Sequence, residues 1–425
     1  MSALICAGTF SKDPMAWGFS PDTYIKAGRG PYILLNDDTW VLDLTSSLGQ
    51  NLLGYGGDFA DYVAQQVKQG IGFTLPHYLE HEAADRLADM LGNRVPGWSP
   101  NTIGVRFGKS GSDVTTAAVR LARAVTKKGW IFCFKNHYHG WGDTFIARTD
   151  PAWGLPNAFE ISKGDEISRL EWAAVNDIDW QDFDFLSKDF AQNDIAAIIF
   201  EQPAFDPDPG WYPFLRKWCD DNGALLIADE VVTGLRYAPG GASEKYGIQP
   251  DLICMGKALG NGAAVSALIG RREYMEWFAR TDPVFWSSTT NGNANDLAAA
   301  NFVLTEWHDN GEKNVARLWT LGDKLIEGCR EALQQIDGWT IEGHGARSVF
   351  GFPDLEEQAF FIHGMRRNGV LANRPNFPNL AMSGGQVNVM LAAVQDVVEE
   401  RAGLSMAEVE KMVTGKLPRV LFKGR

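Results

Sequence analysis

Four short runs stand out in the chain because every position in them is apolar or small: Trp130–Phe134, Ala196–Phe200, Ala224–Ala228 and Leu252–Met255. Continuous apolar runs of this length predict strands buried on both faces. Between them the period changes. Val114, Ala117, Ala118, Leu121, Ala122 and Val125 recur at helical spacing, and Trp211–Asn222 is amphipathic and stops before Gly223. A glycine just past the last turn is a common helix stop. Strands alternating with helices predict a mainly parallel sheet joined by right-handed crossovers. Ala263–Gly270 extends the pattern as a strand and Arg272–Phe278 as a helix, while Asp58–Gln69 and Leu79–Leu91 carry helical spacing upstream.

The flanks read differently. Tyr24–Leu44 alternates around Asn36-Asp37-Asp38, a hairpin signal, and Ser46–Gly57 is rich in glycine and polar residues, as a loop would be. Leu297–Leu333 predicts two helical segments, followed by strands within Thr340–Phe352 and at Gly369–Leu371. Met1–Trp17 is indistinct, and Pro151–Asp194 reads as loop with a short helix. A chain of 425 residues with 45% apolar content buries one large and one smaller core. Two lobes are expected.

Charge narrows the classes of function. With 53 acidic and 39 basic residues the net charge is −14, which opposes tight, sequence-independent binding to nucleic acid. Cys6, Cys133, Cys219, Cys254 and Cys329 have no C-x-x-C spacing, so neither a disulfide framework nor a zinc site is expected. The chain has no basic leader followed by a long apolar run and no stretch of 18 apolar residues. A cytoplasmic protein that does not enter the membrane is expected.

Candidate chemistry collects at the strand ends. Ala224–Ala228 leads into Asp229 and Glu230, and Leu252–Met255 leads into Lys257, 28 residues after Asp229, with Gly260 and Gly262 beyond. A desolvated amine is a nucleophile towards aldehydes, and a carboxylate holds a heterocyclic nitrogen protonated. That pair is what a protein contributes to pyridoxal-phosphate (PLP) chemistry. Either residue alone is better explained as a helix cap or a surface lysine. Ser110, Gly111 and Ser112 precede the helical period at Val114, where free N–H groups suit a phosphate; a plain N-cap is the competing explanation. Tyr138, at the end of a strand, offers a ring for stacking on a conjugated system. His137 and His139 are also explained as loop histidines bonded to backbone. His77, Glu80, His81 and Glu82 lack a spaced third ligand and read as a solvated helix entrance rather than a metal site.

Taken together, SGSD (Ser110–Asp113), YHGWGD (Tyr138–Asp143), FEQP (Phe200–Pro203), DEVVTGLR (Asp229–Arg236) and DLICMGKALGNG (Asp251–Gly262) resemble the class III aminotransferase family, in its order and over roughly residues 20 to 350. The resemblance is strongest to the branch of glutamate-1-semialdehyde aminomutase and related sugar or aldehyde aminotransferases. It implies an α/β protein of PLP fold type I: a large domain (58–310) with a mainly parallel sheet and helices on both faces, and a smaller α+β domain formed by 1–57 and 311–425.

The resemblance also implies roles. Lys257 is the Schiff-base lysine and Asp229 the partner of the pyridinium nitrogen. Tyr138 stacks on the ring, with His139 and Val231 beside it. Ser110, Gly111 and Ser112 bind the phosphate, and Glu201 lies on the cofactor side of its strand. Thr289, in FWSSTTNGNAN, reaches a partner's phosphate, which implies a homodimer with shared sites; no metal is expected. Ser47, Tyr55 and Arg374 are candidate contacts for a small amino-acid, amine or aldehyde substrate. The sequence departs from the family at Asn291, where serine is commoner, at Ala294, where proline often stands, and through Asn373–Gln386. These parts support an aminotransferase with an aldehyde, keto or sugar-like acceptor. The alternatives are a 2,1-aminomutase, a PLP-dependent decarboxylase or lyase, and a non-catalytic PLP-fold binding protein.

Overall fold

The structure is a computed structural model that describes residues 12–134, 137–142, 144–145, 195–415 and 417–418. Asn136, Asp143, Cys6 and the Pro151–Asp194 segment lie outside the described residues. The described chain divides into two units, one formed by residues up to Ala60 and from Ala316 onward, the other by Asp61–Val315.

In the first unit, Tyr24–Leu44 holds three strands where a two-stranded hairpin was expected: β1 (Ile25–Arg29), β2 (Tyr32–Leu35) and β3 (Trp40–Asp43), antiparallel in succession. The additional turn falls at Gly30, whose φ of +55° is a conformation glycine adopts without a steric penalty. Ile33, Leu35 and Val41 form a small apolar cluster with Tyr55 and Leu371 packed against it.

The second unit is built on β4 (Ile103–Gly108), β5 (Trp130–Cys133), β6 (Ile195–Glu201), β7 (Leu225–Glu230), β8 (Leu252–Met255) and β9 (Ser266–Arg271). Among the described residues these form one sheet in the order β4-β9-β8-β7-β6-β5. β5 to β8 pair in parallel, and β9 is antiparallel to both of its neighbours. All four apolar runs are therefore strands. Their continuous apolar character reflects burial on both faces, since every residue of β6, β7 and β8 is buried. The helix Gly111–Thr126 packs Val114, Ala118, Leu121 and Ala122 into the same core as Ile199, Ile227 and Leu268.

Leu297–Leu333 corrects the expectation of two helices. It belongs to a single helix, Ala294–Leu333, of 40 residues, and the division between units falls inside it. Gly311 costs the helix roughly 1 kcal/mol relative to alanine. The helix continues because it contains no proline and buries side chains along both halves: Val303, Leu304 and Trp307 in one, Leu318, Leu325 and Cys329 in the other.

The first unit is completed by β10 (Thr340–His344), β11 (Arg347–Gly351), β12 (Val370–Leu371) and β13 (Pro375–Asn376). β12 pairs in parallel with β3, and β10, β11 and β13 form a separate antiparallel sheet. Helices Leu355–Arg367 and Gly384–Ala402 cover a core of Phe350, Phe360, Phe361, Met390 and Val394. No helix among the described residues is long and apolar enough to cross a membrane.

Candidate active site

The register of the parallel strands sets the geometry. Glu201 pairs with Asp229 across β6 and β7, and Asp229 with Cys254 across β7 and β8. Lys257 follows the end of β8 by two residues. These are carboxyl ends of parallel strands, where ligands bind in open α/β sheets. Successive strand residues face opposite sides, so Asp229 and Glu230 have different surroundings.

Asp229 is 3% exposed and bonded on both oxygens. His139 Nδ1–H donates to its Oδ2 at 2.8 Å, and the Val231 N–H donates to its Oδ1 at 3.1 Å. A carboxylate only accepts, so the His139 proton sits on Nδ1. His139 Nε2 is buried and has no hydrogen-bond partner among the described residues. Burial and the charge of Asp229 raise the Cys254 thiol well above its ordinary range, so it stays protonated. Glu230 instead accepts from the N–H groups of Ala242 and Ser243, at 2.6 and 2.7 Å, and from the Thr233 hydroxyl at 2.9 Å. It anchors the loop after β7, and burial raises its pKa.

The Tyr138 segment is held by Glu201. The Tyr138 N–H donates to Glu201 Oε2 and the Glu201 N–H to His137 Nδ1, each at 3.0 Å. The His139 carbonyl accepts from the Thr115 hydroxyl at 2.7 Å, tying this loop to the helix Gly111–Thr126. The Tyr138 side chain is half-buried.

Ser110 is the N-cap of that helix and forms a capping box with Asp113, whose Oδ2 accepts from the N–H groups of Lys109 and Ser110 at 3.1 and 2.8 Å. Its hydroxyl accepts from the Asp113 N–H, so the plain N-cap explanation accounts for that side chain. The Ser112 Oγ accepts from the Trp141 N–H at 3.2 Å. Gly111 and Ser112 are first-turn residues whose N–H groups have no acceptor within the helix. Two close approaches require glycine beside them. A Cβ on Gly111 would lie 2.9 Å from Val231 Cγ1, and one on Gly140, whose φ is +101°, would lie 2.5 Å from Ser112 Oγ. These glycines let Val231 and Ser112 pack closely at the helix N-terminus, and the free N–H groups of Gly111 and Ser112 together with the buried Asp229 carboxylate suit a phosphorylated heterocycle with a basic ring nitrogen.

Lys257 is half-buried and has a φ of +42°, a left-handed conformation that costs a non-glycine residue about 1 kcal/mol. Thr289 lies in an exposed turn closed by the Asn291 N–H donating to the Ser288 carbonyl at 3.1 Å. Ser47, Tyr55 and Arg374 belong to the other unit. There the Tyr55 hydroxyl donates to Asp43 Oδ2 at 2.6 Å, and Arg374 Nε donates to the Phe350 carbonyl at 3.2 Å. Ser46, Ser47 and Leu48 have φ of 46°, 54° and 57°, three consecutive left-handed residues within a segment that was expected to be plain loop. Asp43 anchors them, accepting from the Thr45 N–H and hydroxyl and from the Ser47 N–H. The sequence reading passed over Asp43, although Asp43-Leu44-Thr45 carries the local signal of an Asx-type turn. It also passed over Lys109 and Asp296, an ion pair 187 residues apart in sequence, for which no local signal exists. Among the described residues no three His, Cys, Asp or Glu side chains are placed to hold a metal ion.

The family model for class-III aminotransferases matches residues 18–382. A glutamate-1-semialdehyde 2,1-aminomutase from Salinibacter ruber is 31% identical over 343 residues, 78% of this chain and 76% of that protein. One from Flavobacterium psychrophilum is 32% identical over 370 residues, 82% of this chain and 83% of that protein. Among solved structures, a glutamate-1-semialdehyde aminomutase from Pseudomonas aeruginosa PAO1 superposes with a TM-score of 0.77 at 20% identity, covering 91% of this chain and 89% of that one. A structure described as a transaminase with PLP bound also gives 0.77, at 21% identity, covering 90% and 91%. The fold is that of the fold type I PLP-dependent transferases. With the sheet, the family match and two relatives above 30% identity in accord, the chain belongs to the class-III aminotransferases and is a PLP-dependent enzyme.

Proposed function

We propose that this enzyme moves an amino group between an amino donor and an aldehyde, keto or sugar-like acceptor. The observation that carries the proposal is Asp229, buried at the end of β7 with His139 and the Val231 N–H on its two oxygens, one strand away from the β8 end that leads to Lys257. PLP, when bound, supplies an aldehyde that condenses with amines and a ring that accepts electrons from the adjacent carbon.

The chain's own residues have the following parts. Lys257 supplies the amine that holds the cofactor and, once displaced by substrate, carries a proton to and from the reacting carbon. Asp229 keeps the proton on the ring nitrogen. His139 orients that carboxylate, Glu201 fixes the backbone that carries Tyr138, and Tyr138 and Val231 would hold the ring. Gly111 and Ser112 offer N–H groups to the phosphate at the positive end of their helix. Thr289 completes the phosphate site of a second copy.

A homodimer is part of this proposal. It is supported by the exposure of Thr289 and of the apolar residues Ile71, Phe73, Leu75, Tyr78 and Phe285, which are between 44% and 77% exposed. Large apolar side chains left this exposed are candidates for burial against a second copy. Among the described residues, four buried cysteines outside any disulfide fit a reducing, cytoplasmic setting. The second reading, a 2,1-aminomutase, is favoured by the names of the two relatives given above.

The deciding experiment adds single amino acids and amines to the PLP-loaded protein and follows its spectrum and products. Conversion of the cofactor to its amine form with release of a keto or aldehyde product is the expected result. An isomerised amine with no net conversion of the cofactor would establish the aminomutase instead, and release of carbon dioxide would overturn both.

A further inference from the structure

Lys109 precedes the phosphate loop, and its ammonium is paired with the carboxylate of Asp296; the two side chains are 19% and 10% exposed. The N–H groups of Lys109 and Ser110 both donate to Asp113 Oδ2, so the backbone that carries Lys109 is continuous with the cap of the helix Gly111–Thr126. Asp296 sits in the first turn of the helix Ala294–Leu333, where free N–H groups favour a negative charge. It also accepts from Asn295 Nδ2 at 3.0 Å. The start of that helix is tied down by the Ala294 N–H, which donates to the Ile71 carbonyl at 2.8 Å. Immediately before it lies the exposed turn that carries Thr289. The ion pair therefore joins the two loops that the proposed function assigns to phosphate binding, one in the chain's own site and one lent to a second copy.

We infer that the Lys109–Asp296 pair is a positioning pair, holding the phosphate loop and the Thr289 loop in fixed relation so that both are set before PLP arrives. The inference rests on the reading of Gly111 and Ser112 as phosphate donors. A positioning role differs in sign from a direct electrostatic one. If Lys109 acted as a charge on the phosphate, freeing it by neutralising Asp296 would tighten cofactor binding. If it acts through the loop, removing either partner loosens the loop and weakens binding.

The test is PLP binding to the apo forms of the wild type, Lys109→Met, Asp296→Asn and Lys109→Arg, read by absorbance titration and by PLP release rate, with thermal unfolding of each apo form alongside. Lys109→Met and Asp296→Asn are each expected to weaken PLP binding about tenfold, the size of coupling found within ion-pair networks. Lys109→Arg, which keeps the charge, is expected to bind within about twofold of wild type. Unchanged affinity in the first two variants, even with a lower apo unfolding temperature, would reduce the pair to a structural brace and overturn the inference. So would tighter binding by Asp296→Asn. A wild-type protein that took up no PLP would overturn the underlying reading, and the inference with it; only that outcome touches both.

Discussion

His139 and Asp229 form a hydrogen-bonded pair at 2.8 Å, with side chains 0% and 3% exposed. The second oxygen of Asp229 accepts from the Val231 N–H, so the carboxylate is satisfied inside the protein before any ligand is considered. Replacing Asp229 with Asn should remove its charge while keeping its shape, lowering the rate of the amine half-reaction on the order of 10²-fold or more. His139→Ala should leave one buried oxygen without a donor and lower stability by about 1–3 kcal/mol. His139→Asn, which keeps an N–H, should recover much of that loss in urea unfolding of the apo protein; no recovery would mean that the bond contributes nothing.

Gly140 is constrained twice, by a φ of +101° and by the 2.5 Å approach of a Cβ to Ser112 Oγ. Gly140→Ala should displace Ser112 and weaken PLP binding at least about tenfold, equivalent to about 1.4 kcal/mol. Gly142→Ala is the matched control. Among the described residues its Cβ would meet only Thr116 Oγ1 at 3.3 Å, and its φ is not positive. Fluorescence titration with PLP compares the two.

Glu230 links the fold to pH. Burial raises its pKa above the ordinary value of 4.5, so the folded state binds the proton more tightly than the unfolded chain does. Its contribution to stability is therefore full below about pH 4.5 and is lost as pH rises through the raised value. Glu230→Gln should remove this part of the slope. At neutral pH the variant should also be less stable by roughly 1–3 kcal/mol, because an amide NH₂ would face some of the donors from Ala242, Ser243 and Thr233. Urea midpoints measured across the acidic and neutral range test both statements, and an unchanged slope would refute the first.

Tyr55 and Asp43 brace the left-handed turn at Ser46–Leu48. Burial and the neighbouring Asp43 charge push the Tyr55 phenol above its ordinary range, so it remains a donor at all working pH values. Tyr55→Phe should cost about 1 kcal/mol in thermal unfolding. Ser47→Gly should act in the opposite direction, because glycine adopts a φ of 54° without the Cβ clash, and should gain roughly 0.5–1 kcal/mol. A loss of stability on Ser47→Gly would show that the turn is not strained.

The amino-acid sequence by itself determined the elements whose cause is local. Runs such as Ala224–Ala228 are apolar at every position, and a strand buried on both faces is the conformation that uses such a run. The helix after Ser112 and the stop at Gly223 follow from periodicity and from a left-handed cap at φ +57°. The family was legible in the same way, because its motifs sit at strand ends and helix starts that the pattern had already marked. Lys257, Asp229 and the Ser110–Ser112 loop are candidates that local pattern alone puts forward.

Tertiary structure decided everything that depends on two distant segments. Only the register of β6 against β7 places Glu201 beside Asp229, and only folding brings His139 onto Asp229, 90 residues away. The splitting of Asp229 and Glu230 into a site carboxylate and a loop anchor follows from strand alternation, but their partners at His139, Ala242 and Ser243 are set by packing. The single helix from Ala294 to Leu333 replaced the two segments expected over Leu297–Leu333, because burial along its length outweighs the propensity cost of Gly311. The ion pair of Lys109 with Asp296 left no trace in local pattern, since attraction between charges depends on their distance in space and not on their separation along the chain.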